Sequence, residues 1–375
     1  MTHRVYLDWN ATAPILPEAR DVMIAALDAI GNPSSIHTEG RRARYMIEQA
    51  RSDVARLVGA EPTHVAFTSG ATEANNWVIR SGWDTVIASD IEHDSVLSAI
   101  DASGAQRVVV PAERSGLVSM DAFGAALDRL RDGGRTLAVL QLANNETGVV
   151  QPVADVVRMA AERGVPVLCD AVQAAGRIAF SVTELGASFV TLSAHKIGGP
   201  KGIGALVSKP GQGLSPLLAG GGQERRQRAG TENVAAIVGF GAAARIAKAE
   251  LVAAQEHLDG MREQLEAGLR SISPSLVVLG HETRRLPNTT CVAVPGQPAE
   301  LLVAAFDLAG FAISSGAACS SGKVVRSRVL QAMGYDDSVA SASLRISVGR
   351  TTTADDITAF LRAWHTTAAV GRRAA

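Results

Sequence analysis

The stretch Phe189-Val-Thr-Leu-Ser-Ala-His-Lys-Ile-Gly-Gly-Pro200 joins a short apolar run to a glycine-rich turn that carries a lysine. The run Phe189–Leu192 predicts a buried strand, because strands covered on both faces are continuous in apolar residues. Open α/β sheets bind ligands beyond the carboxyl ends of their strands, which is where Lys196 lies. An isolated lysine is usually a solvated surface charge. The chain contains only five lysines, however, and a partly buried amine reacts readily with aldehydes, so we favour a chemical role for Lys196.

Apolar runs of the same kind alternate with helical patterns on both sides of this stretch. The alternation predicts βαβ units, and therefore an α/β fold with a mostly parallel sheet covered by helices on both faces. From 234 to 269 the chain is rich in alanine and predicts a long helical connector that Gly239, Gly241 or Gly260 bends or splits. The residues after it predict a second, smaller α/β unit. The predicted strands of the main sheet are 65–68, 85–88, 107–110, 137–142, 165–169, 189–192 and 204–207.

The composition excludes several classes of protein. The 375 residues are 47% hydrophobic and 19% charged, which is incompatible with a disordered chain. The formal net charge of −1 argues against nucleic acid as the main ligand, and no apolar stretch reaches the roughly 20 residues that a bilayer span needs. The N-terminus lacks the apolar centre of a signal peptide, so we expect a cytoplasmic protein. Three widely spaced cysteines without a CxxC pair indicate neither disulfides nor a metal site.

Two further motifs lie at the ends of predicted strands. Phe67-Thr-Ser-Gly-Ala-Thr72 leads from a strand into a helix, and its backbone N–H groups and hydroxyls suit a phosphate. The alternative is ordinary helix capping by Ser69 or Thr72. Asp170 ends another strand, where its carboxylate either pairs with a cationic ring nitrogen or caps the segment that follows. An aldehyde-reactive lysine, a phosphate turn and a ring-nitrogen carboxylate are together the minimum set of groups for binding pyridoxal 5′-phosphate.

Taken together, these motifs resemble those of a known family. From Tyr6 to about Ile357 the sequence is similar to the cysteine desulfurases of the NifS/IscS kind, which are fold-type-I pyridoxal phosphate enzymes. The resemblance implies a large cofactor-binding domain over residues 16–250 and a small domain built from residues 1–15 and 251–375. The motifs that carry it are Tyr6-Leu-Asp-Trp-Asn-Ala-Thr12, Gly31-Asn-Pro-Ser-Ser-Ile-His37, Phe67-Thr-Ser-Gly-Ala-Thr-Glu73, Glu92-His93, Asn144-Asn-Glu-Thr-Gly148, Asp170-Ala-Val-Gln173, Ser193-Ala-His-Lys196, Arg228-Ala-Gly-Thr231, Ser314-Ser-Gly-Ala-Ala-Cys319 and Leu344-Arg345.

The resemblance implies a role around the cofactor for several motif residues. Lys196 is expected to hold pyridoxal 5′-phosphate as a Schiff base, Asp170 to pair with its ring nitrogen and Gln173 to hydrogen-bond its phenolic oxygen. His93 is expected to stack on the ring and to move protons as a catalytic residue. The expected phosphate ligands are Ala71, Thr72, Ser193, His195 and, from the second subunit of a homodimer, Thr231.

The resemblance also implies that the substrate is L-cysteine. Asn145, which belongs to the cofactor site as well, and Arg345 are expected to bind it, with the guanidinium holding the carboxylate in a bidentate pair. Three of the expected residues have ordinary structural alternatives: His93 as a satisfied histidine near a helix start, Arg345 in a surface ion pair, and Thr231 as a helix cap.

Cys319 is the candidate nucleophile. Cys169 and Cys291 lie within apolar strand patterns, which is typical of small buried hydrophobic residues. Cys319 lies instead in a run of small polar residues, and exposure with positive charge nearby favours a reactive thiolate. We expect Ser315–Arg328 to be mobile, because the thiolate must reach the cofactor and then present its sulfur to an acceptor. The basic residues that follow Cys319 are Lys323, Arg326 and Arg328.

The implied activity is that of a cysteine desulfurase, which releases L-alanine and passes sulfur from a persulfide on Cys319 to an acceptor such as an iron–sulfur scaffold protein. Trp9 and the basic segment after Cys319 depart from the family pattern, and a nitrogen-fixation role and general iron–sulfur assembly both stay open. On the same cofactor, the alternative is selenocysteine lyase or another lyase or aminotransferase. The alternative outside the enzymes is a sulfur-carrier or redox-thiol protein with the same fold.

Overall fold

Strands and helices alternate along the chain, as the apolar runs predict. The computed structural model describes residues 4–130, 133–316 and 326–371. Its strands are β1 Val5–Tyr6, β2 Val65–Thr68, β3 Thr85–Ser89, β4 Gln106–Val110, β5 Thr136–Val139, β6 Val167–Asp170, β7 Phe189–Ser193, β8 Gly204–Ser208, β9 Val277–Val278, β10 Thr289–Ala293, β11 Phe311–Ala312, β12 Ser314–Ser315 and β13 Ser343–Ser347. Its helices are α1 Pro17–Leu27, α2 Thr38–Val58, α3 Ala71–Ile79, α4 Asp94–Asp101, α5 Met120–Asp128, α6 Val153–Ala161, α7 Val182–Leu185, α8 Val234–Ala249, α9 Leu251–Ile272, α10 Ala299–Leu308, α11 Arg328–Ala332, α12 Asp337–Ala340 and α13 Ala354–Gly371. Within the described ranges, no helix combines the length and the apolar character of a membrane span.

The central sheet has the strand order β2-β8-β7-β6-β5-β3-β4. The strands from β7 to β4 in this order run parallel, whereas β8 is antiparallel to both of its neighbours. The mostly parallel α/β sheet expected from the sequence is therefore confirmed. Because β2 has the same direction as β7, the carboxyl ends of β2, β3, β5, β6 and β7 lie along one edge of the sheet. This edge is where α/β proteins bind ligands.

Two apolar clusters cover the two faces of this sheet. One packs the sheet against α2, α5, α6 and α8, and the other packs it against α3 and α4. Alternation along β3 shows why both form: Ile87 belongs to the first cluster, and its neighbours Val86 and Ala88 belong to the second. The strands are buried on both faces, which explains their continuous apolar sequence.

The alanine-rich connector forms two helices, and the break between them falls at Glu250, which takes φ −100° and ψ 3°. The prediction that Gly239, Gly241 or Gly260 splits the connector is wrong, because α8 runs unbroken through the first two and α9 through the third. Gly241 serves close packing instead. A Cβ there would lie 2.6 Å from the Cα of Ala50 on α2, so the missing side chain lets α8 approach α2.

The later part of the chain forms a separate antiparallel sheet in the order β12-β13-β10-β9. Its core includes Phe306 of α10, whose ring lies 5.0 Å from that of Phe360 and 5.4 Å from that of Trp364, centroid to centroid. The N-terminal strand β1 pairs with β11, so residues from the start of the chain lie with this part. On this basis we propose the domain division of 16–250 against 1–15 with 251–375.

Trp9 packs against the backbone of Gly349, a residue of the C-terminal part that has no side chain. Its ring is buried, and its Nε1–H donates to the carbonyl of Tyr6 at 3.2 Å. A Cβ on Gly349 would lie 1.8 Å from two atoms of the indole ring. The tryptophan that departs from the family pattern therefore requires glycine at position 349.

Candidate active site

A cavity of about 490 Å³ opens at the carboxyl edge of the central sheet. Its walls come from the segments that follow β2, β3, β5, β6 and β7, together with residues 11 and 12 of the N-terminal segment. This volume is typical of small-molecule sites. The fold brings together nine residues that the sequence singled out, and they are Ala71, Thr72, His93, Asn145, Asp170, Gln173, Ser193, His195 and Lys196.

Lys196 lies at the cavity in the short 3-10 turn Ala194–Lys196, which directly follows β7. Its Nζ donates hydrogen bonds to the backbone carbonyls of Asn10 at 2.5 Å and Ala11 at 2.9 Å. The N-terminal segment thus holds the amine from 186 positions away in sequence. A sequence pattern contains no local signal for such a contact.

Asp170 ends β6 and is only 7% exposed. One carboxylate oxygen accepts the N–H of Val172 at 3.0 Å, and the other accepts the side-chain Nδ2 of Asn75 at 3.1 Å. The bond from Val172 is the local capping contact that the sequence left as the alternative. The same residue also lines the cavity. Asp170 thus caps the segment that follows and is also available to a ligand, so the two interpretations are compatible.

The turn between β2 and α3 offers backbone N–H groups to the cavity. Gly70 is the N-cap of α3, and no side chain among the described residues caps this helix, so the interpretation of Ser69 or Thr72 as caps is wrong. A Cβ on Gly70 would meet no atom of the described residues within 4 Å, so the backbone here faces open space in that part of the structure. An uncapped helix N-terminus beside a cavity suits an anionic group.

His195 is neutral at pH 7. Burial, and after it the positive charge of Lys196, lowers the pKa of His195 to about 4. Its Nδ1 lies 3.2 Å from the hydroxyl of Thr12. Together with the nearly buried Ser193, it therefore gives the cavity hydrogen-bonding groups without an added charge.

His93 follows β3 and is the N-cap of α4. Its Nδ1 accepts the backbone N–H of Ser95 at 3.1 Å. The alternative of a satisfied histidine at a helix start is thus confirmed, and the same ring lines the cavity. Capping therefore determines which ring nitrogen is turned toward the helix.

Gln173 has a fixed amide orientation. Its Oε1 accepts a hydrogen bond from Nη1 of the buried Arg177, and its Nε2 donates to the carbonyl of Asn10 at 3.1 Å. Since a guanidinium only donates, the oxygen of the amide must face Arg177. The amide nitrogen is then the end that can donate to a ligand oxygen.

Arg345 lies on β13 beside the cavity wall and is only 3% exposed, so the interpretation as a surface ion pair is wrong about its position. Its Nη2 pairs with Asp8 at 2.8 Å, and its Nη1 donates to the carbonyl of the cavity residue Asn145 at 3.1 Å. Its Nε is buried and has no hydrogen-bond partner among residues 4–130, 133–316 and 326–371. A guanidinium with a buried unpaired donor has capacity for a further acceptor.

Thr231 is exposed and does not line the cavity of its own chain. It does not cap the helix that follows either, because Asn233 is the N-cap of α8 and accepts the N–H of Ala236 at 3.1 Å. The capping alternative for Thr231 is therefore wrong.

Cys319 lies outside the described residues, as does most of Ser315–Arg328, so the expected mobility stays a prediction. Both described ends of that segment are bonded to the fold: the N–H of Gly316 donates to the carbonyl of Ser343 at 2.8 Å, and the hydroxyl of Ser327 donates to Glu146 at 2.5 Å.

The other two thiols are buried, as predicted. Cys169 in β6 and Cys291 in β10 are both 0% exposed. Burial raises the pKa of each thiol, which keeps both protonated at neutral pH.

Several cavity residues were missed by sequence reasoning. Lys201 shares the glycine-rich turn of Lys196, which was an available signal. Ser95 and Gln141 gave none, because a lone polar residue near a strand end is common.

Comparisons with known proteins indicate the family of this chain. The sequence model of the class-V aminotransferase family matches residues 5–360. A cysteine desulfurase of Cereibacter sphaeroides is 40% identical over 368 residues, which cover 94% of this chain and 93% of that protein. The cysteine desulfurase IscS of Methanosarcina thermophila is 37% identical, over 94% of this chain and 89% of that protein. The solved structure of a NifS-like protein from Rickettsia africae has a TM-score of 0.92 at 34% identity, and the match covers 98% of this chain and 100% of that chain.

The chain belongs to the cysteine desulfurases of the class-V aminotransferase family. The family resemblance and the fold class expected from the sequence are thereby confirmed. As a member of this family, the protein is a pyridoxal phosphate-dependent enzyme. The groups at its cavity fit that cofactor, because the amine of Lys196 suits an aldehyde, the carboxylate of Asp170 suits a ring nitrogen, and the uncapped start of α3 suits a phosphate.

Proposed function

We propose that this protein is a cysteine desulfurase that converts L-cysteine to L-alanine and transfers the sulfur to Cys319. The observation that carries the proposal is the meeting of Lys196, Asp170 and the uncapped N-terminus of α3 at one cavity. These groups come from three different strand ends. The family membership supports the same activity.

The proposed cofactor is pyridoxal 5′-phosphate, held covalently by Lys196. When bound, it supplies an electron sink for charge that develops next to an amine. Asp170 would pair with its ring nitrogen, and Gln173 would donate its Nε2–H to the phenolic oxygen. The proposed phosphate ligands are Ala71, Thr72, Ser193 and His195, with Thr231 from the second subunit.

Two residues of the chain move protons in this proposal. The Nζ of Lys196, as an uncharged amine, takes the proton from Cα of the substrate, and His93 holds or delivers a proton during the reaction. Asn145 and Arg345 bind the substrate, the second through its carboxylate. The Nε–H of Arg345 supports this assignment, because it is buried and has no hydrogen-bond partner in the described part of the chain.

The sulfur transfer breaks the Cβ–Sγ bond of the substrate and forms an S–S bond on Cys319. The thiolate attacks the substrate sulfur, the Cβ carbon retains the electron pair of the broken bond, and protonation completes L-alanine. The persulfide is then passed to an acceptor, for which we propose an iron–sulfur scaffold protein.

We also propose a homodimer, because Thr231 is exposed and lies away from the cavity of its own chain. In the proposed dimer, Thr231 would contact the phosphate of the cofactor in the second cavity. The cytoplasmic location expected from the sequence stays a prediction.

Borohydride trapping tests the cofactor attachment. The chain is incubated with pyridoxal phosphate, reduced and mapped by peptide mass, and we expect the label at Lys196. Lys196→Ala should lose the label and the activity, whereas Lys248→Ala, which changes an exposed lysine on α8, should keep both. A wild-type protein unlabelled at position 196 would overturn the proposal.

A thiol variant separates a desulfurase from a lyase. With L-cysteine as substrate, Cys319→Ser should form no protein persulfide and should release alanine at a small fraction of the wild-type rate. Undiminished release of alanine and sulfide by this variant would instead support selenocysteine lyase or a related elimination. A chain that never acquires the yellow colour of the bound cofactor would support a sulfur carrier.

A further inference from the structure

A line of hydrogen bonds connects Asp170 to His93 through two residues with no role in the proposed chemistry. The Nδ2 of Asn75 donates to Asp170 at 3.1 Å and to the hydroxyl of Ser95 at 3.0 Å. The hydroxyl of Ser95 lies 2.8 Å from the Nδ1 of His93. Asn75 is fully buried on α3, and Ser95 lines the cavity from α4.

The carboxylate of Asp170 determines the direction of the bonds that Asn75 makes. A carboxylate only accepts, so Asn75 must turn its amide nitrogen, and not its oxygen, toward Asp170. The second hydrogen on that nitrogen goes to the hydroxyl of Ser95. This hydroxyl still has its own hydrogen to donate, and the Nδ1 of His93 lies 2.8 Å from its oxygen.

The backbone decides the direction of the bond between Ser95 and His93. The N–H of Ser95 also donates to the Nδ1 of His93, at 3.1 Å. The Nδ1 therefore receives two donors and carries no hydrogen in the neutral ring. The hydrogen of the neutral imidazole is then on Nε2.

We propose that Ser95 and Asn75 are positioning residues that hold His93 as the Nε2–H tautomer and tie its ring to Asp170. The inference rests on the proposed function, because it concerns the protons that His93 moves there. The ring then meets the reacting atoms with the same nitrogen, in the same protonation pattern, at each turnover. The line also gives one orientation to two groups that are expected to contact the same cofactor ring.

The first test is a spectroscopic one and needs no activity. Protein labelled with ¹⁵N in histidine is examined by NMR with and without pyridoxal phosphate, and the His93 signals are assigned with His93→Gln. We expect a hydrogen-bearing Nε2 and an Nδ1 without hydrogen. A neutral His93 with its hydrogen on Nδ1 would overturn the proposal.

The second test removes one of the two donors. Ser95→Ala keeps the backbone N–H that completes the cap, so α4 and the melting temperature should be preserved. We expect the ¹⁵N signal of Nδ1 to shift and kcat to fall by about threefold to tenfold, the range for one ordinary hydrogen bond, with KM changed less. Ser95→Thr, which restores a hydroxyl, should recover most of kcat.

Ser98→Ala is the matched control, since Ser98 is an exposed serine on the same helix. The proposal fails if Ser95→Ala and Ser98→Ala have the same kcat and the same Nδ1 signal. A wild-type protein without desulfurase activity would refute the proposed function, while the NMR experiment would still decide the tautomer.

Discussion

Glu92 is a fully buried carboxyl group next to the cavity residue Gln141. Its Oε1 accepts the N–H of Gln141 at 2.9 Å, and its Oε2 has no partner in the described part of the chain. Burial, reinforced by the charge of Asp170, raises the pKa of Glu92 to about 8. The folded protein thus keeps this proton over a pH range in which the unfolded chain has lost it.

The sign of the resulting pH dependence follows from proton counts. Above the ordinary pKa of 4.5 the unfolded state binds fewer protons than the folded state, so the free energy of unfolding falls as pH rises to about 8. Glu92→Gln removes this titrating group. The unfolding free energy of the variant should therefore fall less steeply with pH than that of the wild type, and the two slopes should differ by up to about 1.4 kcal/mol per pH unit. Urea unfolding at several pH values measures the slopes. Glu300→Gln, at an exposed glutamate, should keep the wild-type slope, and equal slopes for all three proteins would contradict the assignment.

Arg345 is the second residue whose surroundings predict a measurable effect. Its guanidinium already makes an ion pair with Asp8 and donates to the carbonyl of Asn145, and the proposed substrate carboxylate adds a third acceptor. Lysine keeps the charge but has no planar fork, so Arg345→Lys should raise KM for L-cysteine by about tenfold or more, with a smaller change in kcat. Arg350→Lys is the control, because Arg350 makes its ion pair with Glu250 at the surface. An unchanged KM in Arg345→Lys would remove this residue from the substrate site.

At the scale of the element, the turn Gln223–Arg226 holds three consecutive non-glycine residues in the left-handed region. Their φ angles are 43° at Glu224, 56° at Arg225 and 65° at Arg226. The turn is held by a buried pair in which the guanidinium of Arg51 contacts both carboxylate oxygens of Glu224, at 2.6 and 2.9 Å. Strain of this kind persists only where the surrounding structure enforces it.

Glycine at position 226 should relieve part of that strain. Arg226 is exposed, so Arg226→Gly should raise the free energy of unfolding by about 1 kcal/mol, the ordinary cost of one left-handed residue. Arg226→Ala removes the same side chain but keeps a Cβ, and it should give no such gain. Guanidinium chloride unfolding of both variants decides the matter, and equal stability of the glycine and alanine variants would show that the backbone angle is not the cause.

At the scale of the whole molecule, contacts distant in sequence join the N-terminal segment to both sheets. Asn10 and Ala11 hold Lys196 at the edge of the central sheet, while Trp9 packs on Gly349. One short segment therefore links the cavity to the C-terminal part of the chain.

Gly349→Ala tests this junction. The added Cβ would overlap the indole of Trp9, so the variant should lose about 1–3 kcal/mol of unfolding free energy, as overpacked cores do. Gly260→Ala is the control, because a Cβ at that position on α9 meets no atom within 4 Å in the ranges that the structure describes, and alanine favours a helix. It should be as stable as the wild type or more so. Equal melting temperatures for Gly349→Ala and the wild type would show that the segment can move aside.

The sequence by itself determined the α/β fold, the strand ends that carry Lys196 and Asp170, and the family. These follow from local patterns, because apolar runs mark buried strands and a short motif keeps its order along the chain. Local patterns did not predict that the connector breaks at Glu250 and not at a glycine. Packing of α8 on α2 favours Gly241 within a continuous helix, and this contact is distant in sequence.

Only the tertiary structure decided which groups meet. The backbone carbonyls that accept from Lys196, the bonds of Asn75 to Asp170 and Ser95, and the bond of Arg345 to Asn145 all join residues that are far apart along the chain. Hydrogen bonds of side chains depend on distances of a few ångströms between elements. Those distances are set by the packing of the whole sheet, and no local sequence pattern encodes them.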